Sequence, residues 1–96
     1  GNPIDADGAL AAGLVNYVVS AEKVEEVALE LAATIADNAP LAVRAARKVM
    51  RRAADLSEVG ALALESAEAV KVAASEDAQE GPRAFMEKRP PVFKGV

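Results

Sequence analysis

Apolar positions recur at helical spacing along almost the whole chain. Val24, Val27, Ala28, Leu31, Ala32 and Ile35 fall at i, i+3, i+4 and i+7 intervals behind a capping Ser20, which predicts a helix over about 21–37. Asn38-Ala39-Pro40 breaks that pattern and opens another helix over about 40–54, because proline is accommodated in a first turn where its missing N–H has no partner. That helix places Leu41, Ala42, Ala45, Ala46, Val49, Met50 and Ala53 on one face and Arg44, Arg47, Lys48, Arg51 and Arg52 on the other. Ser57 caps a longer helix over about 57–74, in which Leu62, Ala63, Ala69, Val70 and Ala73 are expected to face inward. Upstream, Asp5 or Asp7 can cap a short helix over about 5–12 that stops at Gly13. Residues 14–19, Leu-Val-Asn-Tyr-Val-Val, read as extended but too isolated to build a sheet.

The last third, SEDAQEGPRAFMEKRPPVF at 75–93, predicts a helix over about 76–89 followed by a tail, 90–96. Asp77 and Glu80 have the spacing of a capping box, and Ser75 is an equally good N-cap. Phe85 and Met86 are expected to supply the apolar contact. Lys88 and Arg89 place positive charge at the negative end of the helix dipole, and Pro90 and Pro91 forbid continuation, so the helix should end near Arg89. Pro82 interrupts this reading. It removes one early hydrogen bond if Asp77 is the cap, is the first helical residue if Gly81 is the cap, or breaks the segment in two.

Composition limits what such a chain can do alone. Its 96 residues make one small domain at most, and chains of that length bury only about 60–65% of their unfolded surface. Nearly half of the hydrophobic residues are alanine, which favours helix but buries little area, so the chain is expected to lean on other parts of its own protein or on neighbouring subunits. The absence of cysteine and histidine excludes disulfides, thiolate chemistry and the commonest general base and zinc ligand, and neither a catalytic nor a metal-ligating residue is assigned. No apolar run approaches the roughly 18 residues that span a membrane. The opening Gly1-Asn2-Pro3 fits a tag remnant or a piece of a longer protein equally well.

Charge alternates in blocks: acidic over 1–39, basic over 40–56, acidic again to Glu80, then basic in the tail. With a net charge of −4, this suits packed helices and one anionic ligand better than a nucleic-acid stripe. The basic stripe of Arg44, Arg47, Lys48, Arg51 and Arg52 could bind phosphate, but pairing with the acidic helices accounts for it more simply. Glu65 and Glu68, one turn apart, imitate a catalytic pair, yet such spacing is common among solvated carboxylates.

Three blocks together resemble the crotonase family, the enoyl-CoA hydratases and isomerases: PIDADGALAAGLVNYVV at 3–19, NAPLAVRAARKVM at 38–50, and the run at 75–93. They stand in the family's order, near its spacing, and cover almost the whole chain. The resemblance implies an all-α C-terminal oligomerisation region of a crotonase-like α/β protein whose ββα-spiral core lies outside this chain. In the family that core binds acyl-CoA, holds the thioester enolate oxygen with two backbone N–H groups and, in hydratases, carries two glutamates that add water across the double bond. None of those residues has a counterpart here, so the 96 residues alone are expected to be inactive. The C-terminal helices of the family pack subunits into trimers, often paired as hexamers, and cover the acyl-CoA site.

Residue by residue, the resemblance carries over little. The aromatic and lysine of the A-F-x-E-K-R motif fall on Phe85 and Lys88, which in the family approach the adenine and phosphate end of coenzyme A on an adjacent subunit. Ala69 and Val70 fall where the family's helix lines the acyl pocket. Acyl-CoA is then the substrate and no separate cofactor is expected. The implied partners are an upstream core, further copies of the chain and a CoA thioester, without nucleic acid or membrane, in the cytoplasm. The alternative, from another class, is a free-standing, non-enzymatic helical interaction module whose alanine-rich faces bind a partner helix.

Overall fold

Side-chain caps open three of the five α-helices and a proline opens a fourth, and no β-strand forms. The computed structural model describes all 96 residues, in the order α1 (Ala6–Ala11), a 3-10 turn (Ala21–Lys23), α2 (Val24–Ala36), α3 (Pro40–Ala53), α4 (Glu58–Ala73) and α5 (Glu76–Glu87). Two units divide the chain, Gly1–Ala32 and Ala33–Val96, with the boundary inside α2.

In the first unit Asp5, rather than Asp7, is the cap of α1: its Oδ1 accepts the Gly8 N–H at 2.8 Å. The helix closes in a Schellman turn. Gly13 sits at φ 71°, its N–H donates to the Leu10 carbonyl at 3.0 Å, and the Leu14 N–H reaches the Ala9 carbonyl at 2.9 Å. Residues 14–19 have no regular structure and no ladder partner, although their composition is β-like. Ser20 stands at the entry to the 3-10 turn in an extended conformation, but its hydroxyl accepts no capping bond, contrary to its expected role. Ala6, Ala9, Val15, Tyr17, Val24 and Leu31 help to line an open apolar groove of about 370 Å³.

The second unit is built on α3 packed against α4. Asn38 closes α2 by donating from Nδ2 to the Thr34 carbonyl at 2.7 Å, Pro40 occupies the first turn of α3, and Ser57 Oγ accepts the Gly60 N–H at 3.2 Å at the start of α4. On α3, Ala42, Ala45, Val49 and Ala53 are half-buried, whereas Met50 is exposed. On α4 the stripe turned inward is Ala61, Leu64, Glu68 and Val72. The expected set of Leu62, Ala63, Ala69, Val70 and Ala73 is instead exposed. The reason is that α4 is apolar around most of its circumference, so the sequence offers two stripes; the one that faces α3 is the one that brings Glu68 to Lys48 of α3 at 2.9 Å.

α5 and the tail form the best-packed part of the unit. Ser75 is the N-cap, accepting the Ala78 N–H at 3.2 Å and donating its hydroxyl to the Val72 carbonyl at 2.7 Å, which also ties α5 to the end of α4. Asp77 and Glu80 therefore do not form the capping box that their spacing suggested. Pro82 lies inside the helix, which neither starts at Gly81 nor breaks there. The tail returns along α5. Asp77 accepts the N–H groups of Lys94 and Gly95, one on each carboxylate oxygen, at 2.7 and 2.8 Å, and the Glu76 N–H donates to the Val96 carbonyl at 2.8 Å. The tail thus satisfies an N-terminal donor of the helix it follows. Phe93 passes over Gly81, where its ring lies 3.9 Å from the position a β-carbon would take.

Ser75, Asp77 and Ala84 are the most deeply buried residues, and Ala84, 1% exposed, is the only buried apolar one. Large apolar side chains stand open on every helix, among them Leu10, Leu29, Met50, Val59, Val70, Phe85 and Met86. Because Asp77 is 3% exposed and satisfies two backbone donors, Asp77→Ala is expected to destabilise the second unit by about 2–3 kcal/mol. Urea denaturation of the complete protein measures that loss, and amide exchange at Lys94 and Gly95 should accelerate ahead of exchange in α3 and α4.

Candidate functional site

The end of α5 is where the sequence placed its binding residues, and its geometry follows from the way the helix stops. The last helical residue is Glu87, not Arg89. Lys88 adopts the left-handed conformation, φ 53° and ψ 40°, and is the only non-glycine residue with positive φ. Its N–H donates to the Phe85 carbonyl at 3.3 Å and the Arg89 N–H to the Ala84 carbonyl at 3.1 Å, the pair of bonds of a Schellman turn. The helix is therefore stopped two residues before Pro90 by its own carbonyls, with the prolines reinforcing the stop.

Phe85 does not supply a core contact: it is 84% exposed, and Met86 beside it is 76% exposed. Lys88 forms no ion pair, and it stands at the next residue position but two after Phe85. The other cation of the motif has a different task. Arg89 reaches back to Glu80, with Nη1 2.5 Å from Oε1 and Nη2 3.1 Å from Oε2, and its Nε donates to Glu87 at 2.6 Å. Glu80 Oε1 also accepts the Val92 N–H at 2.9 Å. The bidentate Arg89 contact, followed by the Val92 bond, holds the Glu80 carboxyl at a pKa of about 2, well under its ordinary value. Contact with Glu80 and then Glu87 raises the Arg89 guanidinium above its usual range.

The carboxylates offer little acid–base chemistry. Asp77 and Glu80 are occupied by backbone donors and Arg89, and Glu68 is held by Lys71 at 2.7 Å and Lys48 at 2.9 Å. The hydrogen bond from Lys71, then that from Lys48, lowers the Glu68 pKa. Glu68 is thus neither one of a catalytic pair with Glu65 nor solvated, but a cross-helix brace whose side chain is only 12% exposed. Lys48 is the member of the basic stripe that finds an acidic helix. Arg44, Arg47, Arg51 and Arg52 line an open groove of about 520 Å³ along α3 without ion-pair partners. No group of three acidic side chains comes together in a way that would hold a metal ion.

Ala69 and Val70 part company. Ala69 lines an apolar groove of about 470 Å³ between α3 and α4, with Ala42, Ala46, Val49 and Met50 across from it, whereas Val70 is 70% exposed outside the groove. The roles of Asp77 and Glu80 in holding the tail escaped the sequence reading. Two carboxylates on one face of α5, followed by a tail that begins with prolines and cannot remain helical, was the signal that could have suggested them.

Comparison with known proteins places this architecture. The enoyl-CoA hydratase/isomerase family profile matches residues 1–96. The chain is 43% identical over 100 residues to a carnitinyl-CoA dehydratase of Citrobacter koseri, a match spanning 99% of this chain and 38% of that protein. It is 38% identical over 96 residues to a methylmalonyl-CoA decarboxylase of Escherichia coli, spanning 98% of this chain and 37% of the relative. Among solved structures, an enoyl-CoA hydratase from Mycobacterium marinum superposes with a TM-score of 0.93 at 33% identity, over 100% of this chain and 39% of that one. The chain belongs to the enoyl-CoA hydratase/isomerase family, the crotonase superfamily. It spans less than two-fifths of the length of these curated relatives.

The Glu80 contact generates a pH dependence. With its folded pKa near 2 and an ordinary value of 4.5, its contribution to stability is complete above about pH 4.5 and is lost as pH falls through 2. Limited proteolysis of the tail from pH 6 down to pH 2 should show release across that window. In Glu80→Gln the tail should already be cut faster at pH 6, with a correspondingly flatter pH profile.

Proposed function

We propose that residues 1–96 are the C-terminal helical region of a larger enzyme that hydrates or isomerises the double bond of enoyl-CoA thioesters. The thioester enolate is held by backbone N–H groups of a core outside this chain. This region supplies surfaces rather than chemistry: it contains no histidine or cysteine, and its partly buried carboxylates are committed to structural bonds. Its open apolar helix faces are to be covered by that core and by other copies of the chain in a trimer or hexamer, and the isolated region is inactive. The enzyme acts in the cytoplasm in fatty acid metabolism; no helix here is long and apolar enough to cross a membrane.

Phe85 and Lys88 contribute to binding the adenine and phosphate end of coenzyme A, and Ala69, with Val70 on the same helix, to the acyl side. The observation that carries this reading is an aromatic ring 84% exposed on a capped helix, followed three positions later by an unpaired lysine. An open aromatic face suits stacking on adenine, and an ammonium suits a phosphate. The family membership of the whole chain favours this reading over a free-standing interaction module.

In the complete enzyme, Lys88→Ala should raise KM for an enoyl-CoA roughly five- to tenfold and leave kcat within about twofold, the pattern of a lost contact made equally in ground and transition states. The same variant should treat the matching enoyl-pantetheine thioester, which lacks the nucleotide, like wild type. An unchanged KM for the CoA ester removes Lys88 from the site.

A further inference from the structure

Lys88 is bracketed by hydrogen bonds on both sides. Before it, the Schellman bonds anchor its own N–H and that of Arg89 to the carbonyls of Phe85 and Ala84. After it, Glu80 grips the chain twice, through the forked contact to the Arg89 guanidinium and through the Val92 N–H. Between these anchors Lys88 holds a left-handed conformation that disfavours a residue with a β-carbon. Such a conformation persists where its surroundings over-determine it. Its own carbonyls do so on one side, and Glu80 does so on the other.

We propose that Glu80 is a positioning residue for the coenzyme contact, fixing the direction of the Lys88 side chain through Arg89 and Val92. The inference rests on the proposed contact between Lys88 and the coenzyme. It assigns specificity to a residue that touches no ligand, and it separates two carboxylates that otherwise look alike. Asp77 holds the far end of the tail, at Lys94 and Gly95, whereas Glu80 holds the turn itself. A tail anchored only for stability would make the two interchangeable in their effect on substrate binding. A positioned lysine makes them different.

The test is a double-mutant cycle in the complete enzyme, with KM measured for an enoyl-CoA and for the matching enoyl-pantetheine thioester. Glu80→Gln keeps the side-chain shape but loses the charge that holds the guanidinium fork; Arg89→Lys removes the fork from the other side. Each should raise KM for the CoA thioester roughly three- to fivefold, leave kcat within about twofold, and leave KM for the pantetheine thioester unmoved. In the Lys88→Ala background neither should have a further effect. Asp77→Asn should loosen the tail yet leave KM for the CoA thioester near wild type. Should Glu80→Gln not fold, Arg89→Lys carries the cycle.

The inference is overturned if both thioesters are affected alike, if the Glu80 and Lys88 effects simply multiply, or if Asp77→Asn raises KM as much as Glu80→Gln. It also falls if Glu80→Gln and Arg89→Lys leave KM unchanged. If Lys88→Ala has no effect on KM for the CoA thioester, the coenzyme contact itself is wrong and this inference goes with it. If Lys88→Ala has its expected effect and the cycle shows no coupling, the contact stands and only the positioning role of Glu80 is lost.

Discussion

The second unit depends on two carboxylates of one helix that accept three backbone N–H groups of its tail. The seven residues of that tail include two prolines, lack a helix of their own and form no strand. Asp77 and Glu80 between them take the N–H groups of Val92, Lys94 and Gly95, and the final carbonyl returns a bond to Glu76. Buried or half-buried carboxylates are tolerated because every oxygen has a donor. The tail brings Phe93 over Gly81 and Gly95 against Pro40 at the start of α3, while Ser75 ties α5 to the end of α4. Electrostatic bonds to backbone here perform a task that apolar burial performs in most domains of this size.

That substitution matters because the chain contains almost no hydrophobic core. One alanine is its only buried apolar residue, while valines, leucines and methionines on all the longer helices are open. A surface of this kind belongs to a part rather than a whole. Helix propensity and capping specify the rods, and cross-helix contacts such as Lys48 with Glu68 set the register of α3 on α4. The remaining free energy has to come from whatever the exposed faces meet. The relatives bear on this too: at similar identity they include a dehydratase and a decarboxylase, so the features shared over this region do not dictate the reaction.

The helices were legible in the sequence because caps and periods are local. Gly13, Pro40, Ser57 and Ser75 announced their turns, and the amphipathic pattern of α3 was unambiguous. What was not legible depended on choices between equals or on distant partners. α4 carries two apolar stripes, and the one turned inward is the one that meets α3 and sets Glu68 beside Lys48, a partnership that α4 alone does not specify. Asp77 and Glu80 had the spacing of a capping box, but Ser75 took the cap and released both for the tail, a partnership 12 to 18 residues away in sequence. The motif containing Phe85 and Lys88 was visible. Their exposure was not, since an aromatic residue on an amphipathic helix reads as core until the packing is known.

The left-handed conformation of Lys88 also carries a cost. Glycine at that position would make the same turn without steric conflict, and a lysine held there forgoes roughly 1 kcal/mol of stability by comparison. A chain with so thin a core has little stability to give up. On the proposed contact with coenzyme A, that cost is what the turn after α5 gives up to carry an ammonium where glycine would carry none.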